Sequence, residues 1–349
     1  MAGTYICVTM QTLKRNSSLF QIRQSILSKH SLSTFIIACI VFVLLNLVLY
    51  LIDCRYALSA KMRNAVAFDF TGLNNIGTAQ FEKPGHKLIL LGSSLIIYPV
   101  WDLDRTLDNY CPADPNHYHS AIYMEERLRN ATSSIWNVCD LGAGAAMVSD
   151  YFLLLSKHIK QIKTKPAWVV VDCAPRSFYD SGVSAANLTP IFDFFYDDAD
   201  LLSSSKYFLP TMSSYLNFIA EHHCYLYKNR TWLVDLLIKW FIHPQIIEQN
   251  NFVPSTNSVN SANLKKNKMQ LSLKEYNGRY FGISSRTIKT QLKFLELIVE
   301  LCREQKIRLM IVNMPLTARN KNLLQEDFYH DYLNCLKEIA YHKDQDVFF

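Results

Sequence analysis

Three places in this chain set a chemically competent residue just past a run of apolar ones. The first is Leu88–Pro99, LILLGSSLIIYP, where four consecutive apolar residues break at Gly92-Ser93-Ser94. A serine just past a buried strand, beside a glycine that permits a sharp turn, projects its hydroxyl from the edge of a sheet. The second is Trp136–Asp150, WNVCDLGAGAAMVSD, where an apolar strand breaks into Gly142-Ala143-Gly144 and then a helix start. Such a turn presents backbone N–H donors, and the dipole of the following helix adds to their field. The third is Ala167–Asp180, AWVVVDCAPRSFYD, a strand ending in Pro175-Arg176-Ser177-Phe178. Arg176 either offers its planar fork to an anion or pairs with Asp172 or Asp180.

The elements that must position these residues alternate along the chain. Strands are predicted at Lys87–Leu91, Ile135–Asp140, Ala167–Asp172, Arg308–Asn313 and Asp346–Phe349. Between them, amphipathic spacing predicts helices at about His117–Arg129, Ala145–Ile162, Thr287–Glu304 and Asp327–Tyr341. Strands alternating with helices imply βαβ units and a parallel sheet covered on both faces. Expected is an α/β domain over 85–349, a flavodoxin-like three-layer α/β/α sandwich, whose chemistry lies outside the carboxyl ends of the strands. It carries an insertion at about 187–284. The first half, Asn187–His243, is rich in aromatics, including Phe192, Phe194, Phe195, Tyr196, Tyr207, Phe208, Phe218, Trp232 and Trp240. These make either a helical cap packed on the core, or a lid or a face resting on a bilayer. The second half, Asn250–Lys268, is rich in Asn, Ser and Lys and reads as a loop.

The three segments resemble the first three blocks of the SGNH, or GDSL, hydrolase superfamily. Its Gly-Asp-Ser-Leu becomes Gly92-Ser93-Ser94-Leu95, and its second block, Asn-Leu-Gly-x-Gly-Gly in pattern, becomes Asp140-Leu141-Gly142-Ala143-Gly144-Ala145. The resemblance implies Ser94 as nucleophile and the amides of Ser94, Gly144 and Ala145 as oxyanion donors. Ala in place of Gly keeps the N–H, so that role survives. Ser93, Gly142 and Arg176 fall where substrate would bind. The third block departs from the family, because its Asn is replaced in the stretch Asp172-Cys173-Ala174-Pro175. An N-terminal anchor with a Pro-Arg-x-Phe third segment is similar to the membrane-anchored branch that modifies cell envelopes, including proteins like DltD and those of alginate O-acetylation.

The family's fourth block supplies Asp-x-x-His, the general base that takes the serine proton. The literal match Asp327-Phe328-Tyr329-His330 lies in a stretch of helical spacing before the last strand, so it is rejected. The expectation is a chain truncated before that block, with a catalytically inactive binding or assembly component as the alternative. Esterase and acyltransferase are not separated, since both pass through one acyl-enzyme. The implied substrate is a glycan or other acyl ester, with a membrane-bound acyl donor protein as a possible partner. A third reading is an unrelated anchored α/β protein in which GSS is only a turn. The spatial test separating these readings is whether Ser94, Gly142–Ala145 and Arg176 converge at one sheet edge.

Composition bounds the rest. Of 349 residues half are hydrophobic, enough for a sizeable core. Residues 31–52, SLSTFIIACIVFVLLNLVLYLI, contain no charge and are long enough to cross a bilayer as one helix. Lys14, Arg15, Arg23 and Lys29 precede it with no Asp or Glu before Asp53, so 1–30 is a basic cytoplasmic tail and the remainder lies outside. The run is too long for a cleaved signal peptide, and Asp53 beside Cys54 argues against a lipoprotein box. Residues 53–84 form a polar connector. The net charge of +6 is mild and resembles no nucleic-acid face. Nine scattered cysteines show no metal-ligand spacing, and neither His117 with His119 nor the pair His222-His223 has a motif behind it, so no metal or cofactor is expected.

Overall fold

The computed structural model describes residues 34–51, 70, 72–73, 82–107, 111–112, 114–179, 185–228, 285–324, 326–341 and 347–348. The basic tail, most of the connector, and 229–284 of the insertion, with Trp232, Trp240 and the loop Asn250–Lys268, lie outside the described residues. The described residues divide into two compact units, one holding 34–51 and 211–228, the other the remainder.

In chain order the elements are α1 (Thr34–Leu51), β1 (His86–Leu91), α2 (Ser94–Leu107), α3 (Ile122–Thr132), β2 (Trp136–Asp140), α4 (Val148–Gln161), β3 (Trp168–Cys173) and α5 (Pro175–Phe178). They continue with α6 (Pro190–Phe195), α7 (Asp198–Phe208), α8 (Met212–His223), α9 (Tyr225–Lys228), α10 (Ser285–Glu304), β4 (Arg308–Asn313), α11 (Ala318–Lys321), α12 (Glu326–Tyr341) and β5 (Val347–Phe348).

In the larger unit the five strands form one all-parallel sheet in the order β2-β1-β3-β4-β5. From β1 the chain crosses to β2 on one side, then returns past β1 to β3 on the other. The strand order therefore reverses at β1/β3, the switch point beyond whose carboxyl ends open α/β sheets place their ligand crevice. Strand alternation assigns the two faces. Leu88, Leu90 and Val138 pack with Ala121, Ile96, Val100 and Leu128, so α2 and α3 cover that side of β1 and β2. Ile89, Leu91, Val169 and Val171 point the other way and are fully buried, on the side where α4 packs against α10 and α10 against β4. Gln291 of α10 locks that pair, accepting from the Ser149 amide at 2.7 Å and donating to the Ser149 hydroxyl at 3.2 Å.

Phe192, Phe195, Tyr196 and Phe208 of the early insertion belong to the core, while Phe194 is exposed. Phe192 stacks on Tyr196 at 4.3 Å, and Phe208 meets Phe192 at 5.4 Å and Phe294 at 4.7 Å. Each such pair adds about 1 kcal/mol to the area it buries.

Two expectations are corrected in detail. The helix expected from Ala145 starts at Val148, because the Asp150 carboxylate accepts from the Met147 amide at 2.8 Å and caps it there. The helix expected at His117–Arg129 is a single turn at Pro115–His117 followed by α3. Its start is fixed from a distance. Asp104, buried at the end of α2, accepts from the Ile122 and Tyr123 amides and the Tyr118 hydroxyl, each at 2.7 Å.

Asp104→Ala should therefore destabilise the fold by about 3 kcal/mol, since it removes a helix cap and strands a buried phenol. The shift in a urea unfolding midpoint followed by far-UV circular dichroism measures this, and Asp104→Asn should recover part of it.

Candidate functional site

The turn after β1 sits directly on the end of β3. A Cβ at Gly92 would lie 2.7 Å from Ile96 Cδ1 and 3.0 Å from Asp172 Cβ, so only glycine allows this approach. The two serines that follow face opposite ways. Ser93 is fully buried. Its carbonyl accepts from the Ile96 amide at 3.0 Å, and its Oγ accepts from the Leu95 amide at 3.4 Å, which makes it the N-cap of α2. Both its N–H and its hydroxyl donate to Asp172 Oδ2, at 3.4 and 3.3 Å. Ser93, expected to fall where substrate would bind, is a buried cap of α2 bonded to Asp172.

Ser94, the first residue of α2, is half-buried beyond the carboxyl end of β1. Its Oγ accepts from Arg176 Nη2 at 3.3 Å. Arg176 is brought there because β3 ends at Cys173 and Pro175, preset for a helical start, opens α5. Two residues 82 positions apart are therefore joined across the point where the strand order reverses.

The glycine bend after β2 is the third wall. Beyond β2, the Leu141 amide donates to the Leu90 carbonyl at 2.9 Å and the Ala143 amide to the Gly92 carbonyl at 3.0 Å, holding the two turns side by side. A Cβ at Gly142 would strike Ile97 Cγ1 at 2.7 Å. The Gly142 amide is committed to Asp140 Oδ1 at 2.7 Å, so Gly142 serves close packing rather than the substrate contact expected of it. Gly144 and Ala145 lie at the tip of a turn closed by the Ala146 amide on the Ala143 carbonyl at 3.2 Å. Ala145 has φ +60, a left-handed conformation costing an L-residue about 1–2 kcal/mol. The Gly144 and Ala145 amides donate to no described residue.

Beneath this surface lies a buried polar layer that sequence reasoning did not assign. Tyr151 of α4 donates to the Ser177 hydroxyl at 3.1 Å. Burial keeps the Tyr151 phenol neutral by raising its pKa far above the ordinary value. Burial also raises Asp172 to about 6, against the opposing pull of the Ser93 hydrogen bonds and the Arg176 charge. Asp140, completely enclosed, is raised to about 7 by desolvation despite the Gly142 hydrogen bond. Asp140 Oδ2 and Asp172 Oδ1 have no hydrogen-bond partner among the described residues. The only signal of these groups in the sequence was an aspartate closing each apolar strand.

Among the described residues Ser94 Oγ has no histidine or carboxylate partner, and no cluster of three or more metal-binding side chains occurs. His330 lies on the exposed surface of α12, 76 % accessible and hydrogen-bonded to Asn334, away from any catalytic role. Beyond the carboxyl ends of β1, β2 and β3 the three turns thus carry one hydroxyl, one guanidinium and the amides of Gly144 and Ala145.

The raised carboxyl pKa values have a definite sign in stability. Asp140 binds its proton more tightly folded than unfolded, so its contribution is favourable below about pH 4 and is lost as pH rises toward 7. The loss approaches roughly 4 kcal/mol at full effect. Buried His119 and His158, lowered to about 4, act in the opposite sense as pH falls through 6.5. Comparison with Asp140→Asn cancels the histidine contribution. Between pH 5 and pH 8 the native protein should lose unfolding free energy relative to the variant, read from urea unfolding of both at each pH. Compared with known proteins, the chain matches no family model and no curated sequence.

Proposed function

We propose that this protein is a membrane-anchored, SGNH-like serine esterase or O-acyltransferase acting on acyl esters of a cell-envelope polysaccharide. The observation that carries the reading is the 3.3 Å contact of Arg176 with Ser94 at the β1/β3 switch point, beside the glycine bend of Gly142–Ala145. It is the convergence that the motif spacing requires. The strand order supports the finer fold assignment, since 2-1-3-4-5 is the flavodoxin-like arrangement.

In this scheme Ser94 Oγ attacks the carbonyl carbon of an acyl ester as its proton passes to a base. The carbonyl oxygen becomes an oxyanion facing the amides of Ser94, Gly144 and Ala145. Collapse expels the alcohol and leaves an acyl-serine. Water then gives the free acid, or a glycan hydroxyl gives a new ester. Arg176 stands in for the family's missing Asn as a donor, or orients an anionic portion of the substrate. The base is not among the described residues that touch Ser94. No cofactor or metal enters the scheme. The 18-residue apolar α1 supports the anchor, and Lys14, Arg15, Arg23 and Lys29 favour an N-terminus in the cytoplasm and a catalytic domain outside. Partners on this reading are the bilayer, the glycan and a membrane-bound acyl donor protein.

A second reading rests on the same contact. With Arg176 donating to its hydroxyl and no base beside it among the described residues, Ser94 is an acceptor rather than an activated nucleophile. The fold is then a binding or assembly component of an envelope-modification complex.

A fluorophosphonate probe decides between them. The enzyme reading expects labelling of the membrane-embedded chain that Ser94→Ala abolishes and Ser93→Ala leaves at Ser94 in whatever fraction stays folded. Arg176→Ala should lower kcat/KM for a small acetyl ester roughly 100-fold, as loss of one oxyanion donor does. No labelling, with ester binding retained, would establish the component reading instead.

A further inference from the structure

The smaller unit contains a polar contact inside the apolar span. Asn46 lies in FVLLNLVLYL of α1. Its Nδ2 donates to the Phe42 carbonyl at 2.8 Å, one turn back on the same helix. Its Oδ1 accepts from the backbone N–H of Leu226 at 2.8 Å, a residue 180 positions later. That N–H belongs to the first turn of α9, where no intrahelical acceptor exists. A carboxamide within lipid is costly unless it is paired, so the contact satisfies two groups at once.

The depth of the contact follows from helix geometry. Asn46 precedes Leu51 by five residues, roughly 7–8 Å at 1.5 Å per residue. Helices lying in a bilayer interface sink about 5–10 Å into the boundary between headgroups and acyl chains. The segment leading into this contact is built for that position. On α8, Met212, Tyr215 and Leu216 are 73, 37 and 56 % exposed, and Ile219 continues the same i, i+3, i+4, i+7 stripe. Phe218, to one side of it, is buried and stacked on His222 at 3.8 Å, so the helix has a packed flank and a separate bare one. Tyr225 and Tyr227, on α9, are of the type that favours membrane interfaces.

We propose that α8 and α9 form a second, monotopic membrane attachment. The Met212–Tyr215–Leu216–Ile219 stripe lies among acyl chains at the interface where the carboxyl end of α1 emerges, and the Asn46–Leu226 bond sets its depth. The proposal rests on the span reading of α1 and is independent of the chemistry at Ser94.

The test is photolabelling of the full chain in phosphatidylcholine–phosphatidylglycerol vesicles that contain a phospholipid with a diazirine on its acyl chain, with adducts mapped by mass spectrometry. Adducts are expected on α1 and on Met212–Ile219. Asn46→Leu should cut those on α8 severalfold and leave those on α1 unchanged, and Leu216→Glu should do the same. Adducts on α1 alone overturn the second attachment while leaving the span intact, as do cross-links from the stripe to another protein. Absence of adducts on both overturns the span reading itself. Unchanged α8 labelling in Asn46→Leu removes the depth-setting role of the bond.

Discussion

The buried contact between Ser93 and Asp172 fastens the turn after β1 to the end of β3, 79 residues away in sequence. The neighbouring arrangement depends on it. With Ser93 capping α2 and gripping the carboxylate, Ser94 is left as the next residue, half-buried and turned toward Arg176. With Asp172 held at the end of its strand, Pro175 starts α5 where Arg176 reaches that hydroxyl. The Gly92 carbonyl, fixed by the same turn, receives the Ala143 amide and draws the glycine bend alongside.

The arrangement carries an electrostatic cost. Asp140 and Asp172 lie at the carboxyl ends of β2 and β3, the strands on either side of β1, and both are desolvated enough to hold protons well above the usual carboxylate range. Such groups weaken a fold at neutral pH unless the surrounding packing over-determines them. Here it does: Leu88 through Leu91, Val138, Val169 and Val171 are buried on both faces of the central strands. Ala145, strained at φ +60, lies at the same edge. Unfavourable terms gathered at one place in a well-packed sheet mark a place where the backbone is shaped for contact rather than for stability.

Much of the sheet was legible because its strands are continuous apolar runs. Arg308–Asn313 coincides with the expectation, and β1, β2 and β3 differ from theirs by a residue or two. The helix Ser94–Leu107 was not read, because Pro99 interrupts its apolar spacing and punctuates like a turn. In the folded chain Pro99 forfeits only one intrahelical bond, on an exposed surface. The division of labour between Ser93 and Ser94 was not legible either. It is decided by a carboxylate far along the chain, and no local periodicity reports a contact of that span. The same holds for Asn46, whose partner lies 180 residues away. The insertion's aromatics were left between core and surface, and the ring pairs of Phe192, Tyr196, Phe208 and Phe294 settle those four as core.

Neighbouring serines with unlike duties give this turn an unusual freedom to diverge. The inner one is bound to the scaffold, so drift there is punished by unfolding. The outer one starts a helix, a position many side chains tolerate, and its hydroxyl meets Arg176 alone among the described residues. Descendants of such a chain can exchange the outer hydroxyl for another group, and acquire or abandon a reaction, while the skeleton that displays it stays the same.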